Sequence, residues 1–308
     1  GIDFESASQL IKNIDDYKNY VKLSLFNNID VSKYFGNWYN NVDKLNNKFV
    51  NNKPFDHIII PNFLSDEFAN LIYNEYPSDI ENWYKYWNPL EVKYAYDNIE
   101  KMPLNLNKYF YLVNSEFIVN KISKLSGIKN LEFDPYLHGG GLHCHPKNGR
   151  LNMHYDDEKH PRFENKQRRI NIILYMSKNW NEKWNGETQL WNKEMTKCIV
   201  KSPVKFNTAI IFRTNEISWH GLPDKITCPE GTLRKSIAHY YISPLESKSD
   251  SIKFGAGNEG YRKKAAYIKR PNDPHYPQIK KLYDIRPFRR ITENDMKEIW
   301  PEWNPVDY

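Results

Sequence analysis

Apolar and polar positions change their spacing along the chain. In residues 1–50 apolar side chains recur at helical intervals, first Leu10, Ile11 and Ile14, then Tyr20, Val21, Leu23 and Leu25, which predicts two short helices. Gly36-Asn37-Trp38-Tyr39 is irregular chain. Residues 56–60 form a short apolar run stopped by Pro61, a buried strand. Ser65 stands where a helix cap belongs, with Asp66 and Glu67 in the first turn. Phe68, Leu71, Ile72 and Tyr76 share one face of that helix, and Pro77 ends it. Residues 78–102 are aromatic-rich and follow neither period. A longer helix is expected over 104–125, with Leu112, Val113, Phe117, Ile122 and Leu125 inward and Gly127 as its stop.

From Leu131 the pattern shortens to β-rich runs between turn residues. Strands are expected at 131–137, 141–145, 151–155, 169–176, 187–191, 197–201, 208–213, 217–221 and 234–242. So many short strands separated by Gly, Pro and Asn argue for a barrel or jelly-roll sandwich, braced on one sheet by the earlier helices. After Pro244 the chain turns basic and Pro-rich, with Lys263, Lys264, Lys269, Arg270, Arg286, Arg289 and Arg290. Aromatic residues interrupt that charge, which favours a packed extension over a lid or partner surface. Thr292 and Asp295 have the spacing of a capping box that would open a helix bearing Met296, Ile299 and Trp300.

Composition narrows the class. A chain of 308 residues, 40% hydrophobic and 15% aromatic, can bury a large core. Its net charge of +6, from 44 basic and 38 acidic residues, is what a solvated surface carries, so nucleic acid is not an expected partner. The three cysteines, Cys144, Cys198 and Cys228, have no CxxC spacing and are odd in number, against a disulfide framework or zinc ribbon. No apolar run approaches the ~20 residues of a membrane helix, and the first residues lack a signal-peptide pattern. The expected location is therefore intracellular, reducing and cytoplasmic.

Within the strand-rich part, His154-Tyr155-Asp156 carries the chemistry. Successive strand residues point to opposite faces, so His154 and Asp156 project together and can hold neighbouring positions on one metal ion. His220, in Ser218-Trp219-His220-Gly221, offers a third ligand. Two histidines and a carboxylate with open positions form the arrangement of non-heme Fe(II) oxygenases. Further on, Arg234 and Ser236 share a strand face with Ala238 and Tyr240, and a guanidinium beside a hydroxyl suits a carboxylate. Lys235 and His239 point the other way. In His138-Gly-Gly-Gly-Leu-His143-Cys-His145, the pair His143 and His145 could bind metal in a cupin, but Gly149 and Arg150 stand where a cupin glutamate belongs. Both histidines are therefore expected to line a pocket. The glycines are expected to permit close packing or a sharp bend.

Four segments resemble the 2-oxoglutarate/Fe(II)-dependent dioxygenases, in their prolyl 4-hydroxylase-like branch: residues 151–156, 168–180, 184–191 and 234–236. The resemblance implies a double-stranded β-helix with an N-terminal helical buttress. The division expected is 1–130 as the helical region, 131–245 as the catalytic core and 246–308 as the extension. It further implies Fe(II) on His154, Asp156 and His220, with the distal carboxylate of 2-oxoglutarate on Arg234, Ser236 and Tyr175. Lys225 stands as a rival anchor, because the stretch from His220 to Arg234 is longer than the family's usual one. His143, His145, Arg150, Asn171, Trp191 and Trp219 are the candidate substrate-pocket residues, with core packing favoured for the two tryptophans. The implied reaction consumes O2 and 2-oxoglutarate, with ascorbate as a stimulant, and hydroxylates a C–H bond, releasing succinate and CO2. Asp156 favours hydroxylation over halogenation, since related halogenases lack that carboxylate. The leading substrate is a prolyl residue of a protein or peptide. A free amino acid, another small molecule or a modified nucleobase stays open, as does a non-catalytic barrel acting as a binding module.

Overall fold

The computed structural model describes residues 12–22, 30–156, 159–245 and 265–308. The expected helical positions Leu10, Ile11, Leu23 and Leu25, the side chains of Tyr20 and Val21, and the basic residues Lys263 and Lys264 lie outside the described residues.

The helices of the first half are α1 (Ile14–Lys22), α2 (Val42–Asn51), α3 (Asp66–Glu75), α4 (Leu104–Asn114) and α5 (Glu116–Ser126). Ser65 caps α3 by accepting a hydrogen bond from the Phe68 amide, as its position predicts. Phe68, Ile72 and Tyr76 are buried beneath it, but Leu71 faces solvent with 43% of its surface exposed. The single helix expected over 104–125 is two. Ser115 takes an extended backbone conformation, and its hydroxyl donates to the Leu112 carbonyl at 2.6 Å, which ends α4 and redirects the chain. The break leaves Phe117, expected inside, 40% exposed. Gly127 then closes α5 in the left-handed conformation at φ 73°.

The strands are β1 (His57–Ile60), β2 (Tyr84–Asn88), β3 (Glu91–Tyr96), β4 (Glu132–Phe133), β5 (Gly141–His145), β6 (Arg150–Tyr155), β7 (Lys166–Tyr175), β8 (Thr188–Trp191), β9 (Cys198–Ser202), β10 (Thr208–Arg213), β11 (His220–Leu222), β12 (Arg234–Pro244) and β13 (Ala266–Tyr267). Their hydrogen-bonded order is β1-β10-β7-β12-β5-β3-β6-β11-β8-β9, with β2 on β3, β4 on β12 and β13 on β6. The pairs are antiparallel, and the sheet curls into the nearly closed jelly-roll barrel that the strand pattern predicts. The hairpin β2–β3 lies in the stretch whose period was unreadable. Asn88 makes its turn, accepting from the amides of Leu90 and Glu91 at 2.9 and 3.2 Å. β3 then fills the gap between β5 and β6.

Side-chain alternation gives each central strand two jobs. On β7, Ile170, Ile172 and Leu174 join the large core under the helices, while Ile173 and Tyr175 face the barrel interior. On β12, Ile237 and Tyr241 pack toward the helices, and Arg234, Ser236, Ala238 and Tyr240 line the interior cavity. The Tyr241 hydroxyl donates to the Val113 carbonyl at 2.6 Å, and Tyr76 donates to the carbonyls of His143 and Ser236, each at 2.9 Å. These bonds tie α3 and α4 to the sheet. Gly140 and Gly141 allow the entry to β5: a Cβ on either would sit 2.6 Å from the Ala238 carbonyl oxygen or 2.2 Å from that of Tyr96.

The extension closes the remaining face with β13, α6 (Pro277–Ile285) and α7 (Glu293–Ile299). The capping box at Thr292 and Asp295 is formed in both directions. Tyr276 packs on Trp300 and Tyr308, with ring centroids 4.9 and 5.1 Å apart. Trp300 is 8% exposed, so Trp300→Ala should cost about 3–5 kcal/mol of stability. Urea unfolding checks this. A change within experimental error would mean that the extension is not part of the cooperative fold.

Candidate metal centre

Antiparallel register brings the two histidines together. His220 on β11 lies opposite His154 on β6, and Asp156 follows two residues along the same chain. Their ligating atoms all lie within 4.8 Å of one another, and all three residues are buried. The imidazole Nε2 atoms of His220 and His154 stand 3.1 and 3.6 Å from Asp156 Oδ2. Each histidine has its Nδ1 2.8 Å from a backbone carbonyl two residues upstream, Asn152 for His154 and Ser218 for His220. A ring held that way donates from Nδ1 and presents Nε2 as a lone pair. Burial, and then His154, hold the His220 imidazolium below its usual range, so the ring is neutral near pH 7. Burial works against the Asp156 charge, but the two imidazoles outweigh it and keep the carboxyl well below the usual carboxylate range. Two imidazole nitrogens and an ionised oxygen are the donor set of a divalent transition metal.

Two side chains outside the triad support Asp156. The Tyr240 hydroxyl donates to Oδ2 at 2.9 Å, and Arg168 Nη1 lies 3.8 Å from Oδ1. Tyr267 on β13 stacks on His154 at 4.9 Å and 17°. The strand pattern put Tyr240 on the cavity face without indicating its bond to the ligand. Nothing in the sequence pointed to Tyr267, which reaches the site from a strand of two residues.

In the same cavity, Arg234 is 1% exposed. Its Nε donates to the Gly186 carbonyl at 2.6 Å, and Nη2 lies 3.4 Å from Thr188 Oγ1. Both partners are neutral, and among the described residues Arg234 makes no ion pair. Its guanidinium pKa is lowered, burial being the main cause. Gly186 can come this close only without a side chain, since a Cβ there would meet Arg234 Cδ at 3.2 Å, and its φ is 90°. The Tyr175 hydroxyl donates to Thr188 Oγ1 at 2.6 Å, so Tyr175 adjoins the cavity through Thr188 rather than lining it. Thr188 was missed, although it sits in the 184–191 segment that carried the resemblance.

Ser236, His143, His145 and Asn171 line the same cavity. Both ring nitrogens of His145 are buried without a hydrogen-bond partner. Burial, Arg234 and Lys93 hold this imidazolium well below its usual range, so the ring is neutral. Three candidate pocket residues do not line the cavity. Arg150 lies over the Tyr308 ring at 4.3 Å and donates to Asn152. Trp191 donates to Gln189, and Trp219 packs on Tyr155 at 4.6 Å with its Nε1 donating to the Lys193 carbonyl. Lys225, the rival anchor, donates to the Val306 carbonyl and does not line the cavity either.

Residues 140–242 match the family model described as the 2OG-Fe(II) oxygenase superfamily, a span that includes all three triad residues and Arg234. No curated protein matches the chain in sequence. Among solved structures, a prolyl hydroxylase from Trichoplax adhaerens, in complex with a hypoxia inducible factor oxygen degradation domain peptide fragment, aligns with a TM-score of 0.50. It has 19% identity, over 71% of this chain and 97% of that one. A prolyl 4-hydroxylase from Pseudomonas putida aligns at 0.45 with 12% identity over 65% and 97%. One from Phytophthora capsici aligns at 0.46 with 16% identity over 89% and 80%. The first of these likenesses is one of fold.

Asp156→Ala should weaken binding of Co(II), used as an optical probe, by at least about tenfold. Tyr240→Phe should weaken it by less than Asp156→Ala does, since it removes a hydrogen bond to the ligand and not the ligand itself. Anaerobic titration of the absorption band checks both. Full affinity in Asp156→Ala would mean that another carboxylate completes the site.

Proposed function

We propose that this chain, whose residues 140–242 match the 2OG-Fe(II) oxygenase superfamily model, is an oxygenase of that kind and hydroxylates a prolyl residue of a protein or peptide. In this reading Fe(II) is held by His154, Asp156 and His220, and 2-oxoglutarate is anchored by Arg234. The observation that carries it is the buried Arg234 guanidinium, which makes no direct ion pair among the described residues and shares one cavity with the triad. An isolated buried cation is costly, and a bound carboxylate relieves that cost. The prolyl assignment follows the substrate class of the Trichoplax adhaerens protein.

Each part of the site then has a task. The two imidazoles and the carboxylate would hold the metal. Arg234, with Thr188 and Ser236 beside it, would hold the far carboxylate of the five-carbon diacid. Tyr175 holds Thr188 in place, and Tyr240 keeps Asp156 from rotating. Neutral His145 offers a ring nitrogen to the polar cosubstrate without adding charge. With iron and 2-oxoglutarate bound there, dioxygen would be the oxidant: one of its oxygen atoms would enter the substrate as C–OH and the other the succinate formed as 2-oxoglutarate is oxidised and loses CO2. Tyr267 and the apolar side of the cavity exclude bulk water. The three free cysteines accord with a reducing, intracellular location.

Succinate should accumulate from 2-oxoglutarate with prolyl peptides only when Fe(II) is supplied, and ascorbate should prolong turnover. Arg234→Leu should weaken 2-oxoglutarate binding about 10- to 150-fold, the worth of a charge-assisted hydrogen bond. Fe(II) affinity without cosubstrate should hardly change. Lys225→Ala should do much less. Anaerobic 2-oxoglutarate titrations of the three proteins decide, and a larger loss in Lys225→Ala would reject the anchor.

A further inference from the structure

Cations gather at one part of the cavity that the triad and Arg234 do not use. Glu91 and Lys93 are two apart on β3, so they share its inward face, and both line the cavity. They are 2% and 8% exposed. One Glu91 oxygen accepts from Arg286 Nε at 2.9 Å, and the other lies 3.6 Å from Lys93 Nζ. A single carboxylate thus faces two cations, and the second separation is longer than an N–H···O hydrogen bond. Lys93 Nζ also lies 4.9 Å from the centroid of the Tyr86 ring. Arg290 also lines the cavity, with its guanidinium 4.5 Å from the centroid of Tyr84. Burial lowers the Lys93 pKa, and Glu91 opposes that shift.

Among the described residues, then, Lys93 and Arg286 share one carboxylate, Glu91, and Arg290 adds a third positive charge to the same cavity lining. Asp156 is nearby, but its charge is committed to the metal. A low-dielectric cavity lined by one sign of charge is a receptor for the other sign. All four side chains lie outside residues 140–242, so this charge is added to the oxygenase core by the hairpin and the extension.

We infer that Lys93, flanked by Arg286 and Arg290, forms a subsite for a carboxylate of the substrate, and that the preferred peptide carries Asp or Glu beside the residue hydroxylated. The peptide form of this inference rests on the proposed function, whereas the preference for a carboxylate rests on the cavity alone. The subsite requires that the Lys93 charge serve substrate and not 2-oxoglutarate, which has Arg234.

The test is fluorescence polarisation on the anaerobic Fe(II)–2-oxoglutarate complex. The probes are blocked, labelled pentapeptides with Glu, Gln or Lys on both sides of a central proline. The Glu peptide should bind about tenfold tighter than the Gln peptide, and the Lys peptide should bind weakest. In Lys93→Met the Glu-over-Gln preference should fall below about threefold, with 2-oxoglutarate affinity unchanged. Arg290→Gln, at an exposed position, should reduce the preference in the same direction and guards against a misfolded Lys93 variant. Equal binding of the Glu and Gln peptides, or none of either, overturns the subsite. So does a Lys93→Met protein that keeps its peptide preference but loses 2-oxoglutarate. A Glu peptide with alanine for proline separates the two readings: if it binds as tightly, the carboxylate subsite stands and the prolyl assignment falls.

Discussion

Strand alternation on β7 and β12 is the constraint from which the rest of the molecule follows. Both strands are covered by apolar packing on the helix side and open to a polar cavity on the other, so neither can slip by one residue. A slip on β12 would carry Arg234 and Ser236 under the helices and put Ile237 and Tyr241 into the cavity. The helices therefore do more than brace the barrel. By burying Ile170, Ile172, Leu174, Ile237 and Tyr241, they fix the register that aims the charged residues inward. The hydrogen bonds from Tyr76 and Tyr241 across that boundary reinforce it. The hydrophobic effect here sets the direction of the polar groups.

The cavity itself holds charges that a protein does not bury without reason. Asp156 is stabilised by two imidazoles and a tyrosine hydroxyl, and Arg234 by a carbonyl and a hydroxyl. The first set gives a negative charge with one hydroxyl donor and two imidazole Nε2 atoms converging on it. The second gives a positive charge with neutral partners, as an anchor waiting for an anion needs. Opposite electrostatic deficits in one cavity are a more specific signature than either motif alone.

The triad was legible because a two-residue strand period makes His154 and Asp156 neighbours in space. Arg234 and Ser236 were legible for the same reason. The glycine run before β5 also declared itself, since close backbone approach demands such residues. Other features depended on contacts that no local pattern carries. Ser115 breaks a helical period that continues unbroken on either side of it, which is why Leu112 and Phe117 looked like one face. Residues 78–102 hid a hairpin because its turn rests on the Asn88 side chain and its strands are rich in large aromatics on both faces. Glu91 and Lys93 were lost with it. Trp191 and Trp219 stand in the right segments, but their indole N–H groups are satisfied at Gln189 and Lys193, away from the cavity.

The pairing of β13 with β6 sets an order of events during synthesis. Tyr267 lies opposite His154 in that pair, and the Ile268 amide donates to the Met153 carbonyl at 3.0 Å. The ribosome delivers His154, Asp156, His220 and Arg234 well before Tyr267 and Arg286. A nascent chain therefore possesses all three triad residues while the His154–Tyr155 end of β6 still lacks its partner strand on that edge. Only the later segment seals the edge, so the native pairing that shields His154 is completed last.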